Sequence, residues 1–326
     1  MDEFHKKMAD ASVLALWERE GRHNNPPASP HIWQWDAMNP LIDEAVQQTD
    51  MNNAERRVLI LRHPSFEGTG RDGAAINLTV NLQVLMPGEK ARPHRHAMHA
   101  LRFALEGDGA TTTVEGKECA MLPGDMILTP GWTWHQHQHS GKERAVWVDV
   151  LDVPMHTHLE TGEYEPGPAR NLTALPPDSA FEPGFTPDTP TTKQTYSPMF
   201  RYPWDAAVRA LEAIPPAADG SRRLRYTNPV TGGSIFSTID CYLLGLAAGK
   251  DTKAYKTNSN CVCVVKEGEG RTRVGDETVT WGPKDVFSLP HGQWISHHAT
   301  KPARLFQITD REILRRLEIL RDEVQQ

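Results

Sequence analysis

From about Arg57 onward, apolar and polar positions alternate in short runs. VLILRH, INLTVNLQVLM, ALRFALEG, TTTVEG, DMILTP and AVWVDVLDV follow one another, separated by Gly, Pro and Asp turns. A period of two, broken by turn residues at short intervals, predicts an antiparallel β-sandwich or barrel. The chain before it reads differently. Phe4, Met8, Leu14 and Trp17 recur at helical spacing and predict a helix over residues 1–20, after which NNPPASPHIWQWDAMNP runs extended to a second helical piece around 40–57. Residues 154–200 are rich in Pro, Thr and Gly without periodicity and read as a linker over the surface. FRYPWDAAVRALEAI carries a short helix. A second block of strands follows in SIFSTIDCYLLGL, CVCVVKEGEG, ETVTW, DVFSLP and ARLFQIT. TDREILRRLEILRDEV ends the chain as its clearest helix, with Thr309 and Glu312 as a capping box and Ile313, Leu317, Leu320 and Val324 as an apolar stripe.

The two strand blocks are one pattern used twice. GEKARPHRHAMHALRFALEG starting at Gly88 matches GKDTKAYKTNSNCVCVVKEG starting at Gly249, an offset of 161. PGDMILTPGWTWH matches PKDVFSLPHGQWI with Asp125 over Asp285 and Trp134 over Trp294, an offset of 160. A near-constant offset implies an internal duplication of domain length. The expected organisation is an arm over 1–56, a first β-domain over 57–153, a linker with a short helix over 154–222, a second β-domain over 223–308 and a helix over 309–326. Composition narrows the partners. The formal charge of −7 gives no footprint for nucleic acid, and no segment approaches a membrane span. Four cysteines without a CxxC pair read as reduced residues of a cytoplasmic protein.

The candidate chemistry lies in PHRHAMHALRFALEG, residues 93–107. On a strand His94 and His96 project from one face, whereas His99 is out of phase and faces away. His135 opens HQHQH at the end of a later hairpin. Three imidazoles meeting inside a barrel bind a divalent first-row metal; one or two exposed ones usually bind nothing. The spacing agrees. Gly88, five residues, His94-x-His96, ten residues, Gly107 resembles the first cupin motif. Gly124, five residues, Pro130, four residues, His135 resembles the second, with Gly131 one place early. His94, His96 and His135 are therefore the expected ligands, in an all-β bicupin fold of two β-barrel jelly rolls with short terminal helices. The glutamate usual in the first motif is absent: Ala100 or Leu101 stands there. Three neutral ligands leave three positions of an octahedron open, which suits non-haem Fe(II) better than structural zinc. In the second barrel the matching positions are Tyr255, Thr257 and Ile295, a poor metal site. His291, His297 and His298 fall on no ligand position and read as structural.

LQVLMPGEKARPHRHAMHALRFALEGDG, MLPGDMILTPGWTWHQHQH and VWVDVLDVP resemble the gentisate 1,2-dioxygenase family, which includes salicylate, 5-nitrosalicylate and 1-hydroxy-2-naphthoate ring-cleaving enzymes. HIWQWDAMNPL and ERRVLILRHP extend the likeness over most of residues 30–155. The resemblance implies an Fe(II) homotetramer. It would insert both atoms of O2 between the carboxyl-bearing and hydroxyl-bearing carbons of a salicylate-type ring. Arg102 would hold a carboxylate or developing negative charge, and His137 would accept a proton or act as a structural neighbour. Gln83 would contact substrate. Asp149 would face the ring or pair with an arginine. Arg57 in ERRV takes the place of a carboxylate-binding arginine, with Arg56 the alternative.

One segment departs from the family. Where many relatives carry small residues before LQL, this chain has Thr79, Val80 and Asn81, and Thr79 and Asn81 share phase with Gln83. An amide there narrows the pocket and suits a polar ring substituent. The expected substrate is gentisate or a 5-substituted salicylate such as 5-nitrosalicylate, with the fused naphthoate disfavoured. Two rival classes remain: another cupin enzyme (an isomerase or carbon–carbon hydrolase), and a non-catalytic bicupin binding protein. The missing glutamate and Arg102 speak against the first, and the intact histidine triad against the second.

Overall fold

A computed structural model describes residues 2–13, 29–51, 55–181, 185–187 and 195–325. Two halves each carry a six-stranded and a five-stranded sheet. Each half is a two-sheet jelly roll, the cupin fold expected. In the first half Thr79–Leu85, Ala100–Glu106 and Ala145–Leu151 lie side by side, with Met126–Thr129 at their flank. These strands are buried on nearly every residue, so both faces pack, and their apolar runs follow from that. Lys90–His96, His135–His139 and Ala110–Val114 belong to the five-stranded sheet. His135, His137 and His139 are buried there while Gln136 and Gln138 are half-buried, a strict period of two.

The second half repeats this plan. Gly107 and Gly268 occupy the same turn in the two copies, at φ of 88° and 87°. A β-carbon would lie 2.7 Å from the Arg144 carbonyl oxygen in one and 2.4 Å from that of Pro302 in the other, so only glycine fits. One apolar cluster spans the two halves, with Phe103 stacked on Phe306 at 4.3 Å, and the second half holds another around Trp281 and Phe287.

Segments outside the two strand blocks pair with them. His31–Trp33 of the arm adds an edge strand to the second half's sheet, against Val286–Leu289. Within residues 154–222, Tyr164–Pro166 pairs with Lys90–His96, and Arg201–Tyr202 pairs with Met126–Thr129. The arm's second helix spans Trp35–Gln48 and not 40–57: Pro40 lies inside it, forgoing one backbone hydrogen bond instead of marking the boundary. Of the first expected helix, Glu3–Asp10 is helical; Leu14 and Trp17 lie outside the described residues.

The terminal helix requires the largest correction. Only Arg311–Arg316 is helical, Asp310 precedes it without a side-chain cap, and Thr309 ends a strand. The chain then turns through Glu318 at φ 60° and Asp322–Val324 joins the second half's sheet against Tyr255–Thr257. Leu317 and Val324 of the supposed stripe are exposed. An available sheet edge outweighs the propensity of a stripe that has no surface to cover. No described helix is long and apolar enough to cross a membrane.

Candidate metal centre

His94 and His96 lie on one strand, and His135 sits directly opposite His94 on its neighbour. A kink in this pairing, between Ala91 and His94, turns the ligand end of the strand. The three ring centroids are 4.2, 4.8 and 5.7 Å apart. All three side chains are buried, with one ligand atom from each within 4.8 Å of the others. Each Nδ1 faces a backbone carbonyl two residues away: Arg92 and Met98 at 2.9 Å, Thr133 at 3.0 Å. Those carbonyls can only accept, so Nδ1 carries the proton and donates, leaving a lone pair on each Nε2. All three Nε2 atoms are buried without a hydrogen-bond partner. Burial, reinforced by neighbouring positive groups, lowers His94 to about 4, His96 to about 3 and His135 well below its ordinary value. Three neutral imidazoles aimed at one point form the donor set a metal cation requires.

The six-stranded sheet supplies a second row. Cross-strand register sets Asn81 opposite Asp149, and Asp149 opposite Arg102. Arg102 Nε approaches Asp149 Oδ1 to 3.1 Å, and a terminal nitrogen donates to Thr129 Oγ1 at 2.5 Å. The Nε and Oδ1 atoms are off-axis for an aligned hydrogen bond, so their contact is chiefly electrostatic. Burial lowers Arg102 to about 10 and raises Asp149; each charge opposes the other's shift, and we read the two as an ion pair. Gln83 is fully buried with both amide atoms unpaired, and Asn81 Oδ1 is likewise unpaired. Thr79, at the end of that strand, opens onto a 570 Å³ cavity formed with Arg71, Asn77 and His158.

His137 shares the face of His135, and its ring lies 5.5 Å from Trp147. Its Nδ1 contacts Thr112 Oγ1 at 2.8 Å, and Thr112 donates to the Met121 sulfur at 3.1 Å. With the Thr112 hydroxyl donating to Met121, the matching tautomer of His137 donates its Nδ1–H to Thr112. The His137 Nε2 is then a free, buried lone pair. Burial, then the Arg102 charge, lowers His137 well below 6.5.

Of the two arginines in ERRV, Arg57 is turned away from this site. It is buried against Glu89, with nitrogens 2.9 and 3.0 Å from the carboxylate, and also donates to the Thr49 carbonyl. Arg56 is the one whose charge reaches His94, His96 and His137. It is steadied by Glu55, which also accepts from the Tyr164 hydroxyl at 2.5 Å. Tyr164 stacks on His94 at 5.7 Å. Neither Tyr164 nor Glu55 was expected, since nothing in ETGEYEP marks it as a strand. Trp147 was discoverable, because it shares phase with Asp149. His99 faces away from the triad as expected, but into protein: it stacks on Phe236 at 4.5 Å and accepts from the Gly131 N–H. His139 contacts the Glu143 carbonyl, and His156 lies 3.7 Å from Asp152.

A jelly roll with three convergent, unprotonated imidazole nitrogens defines the metal-binding cupin class, and residues 81–151 match the cupin domain family. The chain is 33% identical over 332 residues to gentisate 1,2 dioxygenase 1 of Aquipseudomonas alcaligenes, covering 98% of this chain and 95% of that one. It is 31% identical to a 5-aminosalicylate 1,2-dioxygenase of a Comamonas species, covering 99% and 90%. The crystal structure of salicylate 1,2-dioxygenase from Pseudoaminobacter salicylatoxidans, solved as an adduct with gentisate, superposes with a TM-score of 0.91 at 29% identity, covering 99% and 93%. The chain belongs to the gentisate 1,2-dioxygenase family of ring-cleaving enzymes.

Proposed function

We propose that the chain is a non-haem Fe(II) dioxygenase that opens a monocyclic salicylate between its carboxyl-bearing and hydroxyl-bearing carbons, gentisate or a 5-substituted salicylate such as 5-nitrosalicylate being the substrate. The observation that carries this reading is the set of three unpaired Nε2 atoms without a carboxylate ligand. His94, His96 and His135 would hold the iron. Iron held there would supply Lewis acidity toward the substrate's oxygens and the redox chemistry that makes O2 reactive toward the ring.

The remaining steps belong to the chain's own side chains. Arg102 is a cation fixed before substrate arrives, held by Asp149 and Thr129, and offers its charge to a carboxylate or to negative charge developing on oxygen. His137 Nε2 accepts the proton that the ring hydroxyl sheds; the new negative charge beside it raises a basicity that burial had depressed. Gln83 presents an amide with unspent donors and acceptor. Asn81, one row along, meets the polar substituent and narrows the space where a second fused ring would lie. Arg56 replaces Arg57 as the outer carboxylate-binding group in this reading. A cytoplasmic homotetramer completes it, tested by sizing the purified protein.

The deciding experiment is anaerobic Fe(II) reconstitution followed by O2 uptake on gentisate, salicylate, 5-nitrosalicylate and 1-hydroxy-2-naphthoate. Preferred turnover of the naphthoate refutes the narrowing by Asn81, and full activity of metal-free protein refutes the whole mechanism.

A further inference from the structure

The second jelly roll has lost the ligand triad but retains a polar interior. His297 stands where the first half has His137, and Thr272 where it has Thr112. The histidine–threonine contact is 2.8 Å in both halves. Beneath the threonine the copies differ. In the first half Thr112 donates to Met121; in the second, Thr272 accepts from the Trp281 indole N–H at 2.9 Å. With that lone pair occupied and no other described acceptor in reach, the Thr272 hydroxyl proton goes to His297 Nδ1. Leaving a buried hydroxyl undonated is costly. The proton of the neutral His297 ring therefore sits on Nε2. The same pair of residues thus presents a base in one half and a hydrogen-bond donor in the other.

That donor is buried, without a partner, and borders a 210 Å³ cavity that also has Arg223, Tyr255, Gln307 and Lys253 in its wall. Burial holds His297 at about 4, so the ring is neutral at pH 7. Arg223 lies 3.8 Å over the Tyr242 ring and makes no ion pair with a described carboxylate. Nearby carboxylates are occupied: Asp322 by Arg311, and Asp219 by the backbone N–H groups of Ser221 and Lys253. Apolar cavities of about 150 Å³ admit a benzene ring, so this volume accommodates a ring with one carboxylate.

We propose that the second jelly roll is a binding site for a small organic carboxylate, taken between the Arg223 guanidinium and the His297 Nε2–H, with Tyr255 alongside. The site is separate from the metal centre and does not rest on the first half's chemistry. Its ligand is either an aromatic acid or an open-chain acid, and two probes separate these sources.

The test uses the full-length iron-loaded protein and calorimetric titration with benzoate, which lacks the ortho-hydroxyl needed for chelation, and in parallel with maleate. The expected result is one saturable event per chain that weakens at least about tenfold in Arg223→Gln, a change at the rim that leaves the core intact. Gentisate turnover stays at the wild-type rate in that variant. Tighter benzoate assigns an aromatic acid, tighter maleate an open-chain one. Independently, 15N spectra of histidine-labelled protein should show His297, assigned by its loss in His297→Phe, protonated at Nε2 and shifted by the bound probe. Failure of both probes to bind, binding unchanged by Arg223→Gln, or a His297 protonated at Nδ1 overturns the proposal.

Discussion

Asp149→Asn isolates the charge that holds Arg102 in place. The side chains are all but inaccessible to solvent, and their contact at 3.1 Å puts the charge centres about 4 Å apart. With an effective dielectric constant of about 20, that separation corresponds to about 4 kcal/mol. Breaking a buried pair by removing one partner typically costs about 3–5 kcal/mol, because the remaining charge stays in a poor solvent. At roughly 2–4 °C per kcal/mol for a chain somewhat shorter than this one, a loss of about 3 kcal/mol lowers the melting temperature by roughly 6–12 °C. Removing both charges in Arg102→Met with Asp149→Asn should restore much of this, since no uncompensated ion remains. The assay is calorimetric melting of wild type, both single variants and the double variant, all metal-free so that ligand occupancy does not contribute. A single-variant loss below about 1 kcal/mol, or a double variant no more stable than Asp149→Asn, refutes the account of Arg102 as a cation fixed by its partner.

Four further outcomes follow from the geometry. His94→Ala and His135→Ala should each lose bound iron and activity together; His99→Ala should keep its iron and show instead a lowered melting temperature, because its ring packs on Phe236. Thr112→Val removes the acceptor that orients His137, so activity should fall about 10–100-fold while iron content measured by atomic absorption is unchanged. Asn81→Gly should weaken kcat/KM for gentisate about tenfold, the value of one hydrogen bond, and improve the naphthoate relative to it. Metal-free stability should depend on acid pH: His94 and His96 are depressed from 6.5 to about 4 and about 3, so the unfolded chain binds protons first. The stability these groups contribute is complete above pH 6.5 and is lost as pH falls toward 4 and 3, by roughly 3 kcal/mol for His94 and roughly 5 kcal/mol for His96, which melts across that range would register.

The ligand triad was legible because its geometry is local. Strand periodicity fixes which histidines share a face, and turn glycines such as Gly107 fix the length of strand between them. Arg102 and Asn81 were legible by phase and Asp149 through the family resemblance, but their alignment in one row depends on register between three strands, which no single segment encodes. Choosing Arg56 over Arg57 required Glu89, distant in sequence, to claim the other guanidinium. Tyr164 was invisible for a related reason: Tyr164–Pro166 has no strand pattern of its own and is extended because the edge of Lys90–His96 is open beside it. Asp322–Val324 plays the same part against Tyr255–Thr257, and there a strong helical pattern concealed it.

The arm strand His31–Trp33 bears on how the chain is made. Its partners lie in Val286–Leu289, and the Trp35 backbone N–H donates to the Asp285 carboxylate, 250 residues away, at 2.7 Å. The arm strand precedes its partner by some 250 residues, so it stays unpaired until that edge has been made. Only when the second copy of the fold emerges can the arm dock and close the sheet. The entropic cost of so large a loop grows only slowly with length, so the delay affects assembly rate more than final stability. The duplicated halves are therefore sequential in synthesis but not autonomous: the second half's sheet is completed by a strand made before the first half.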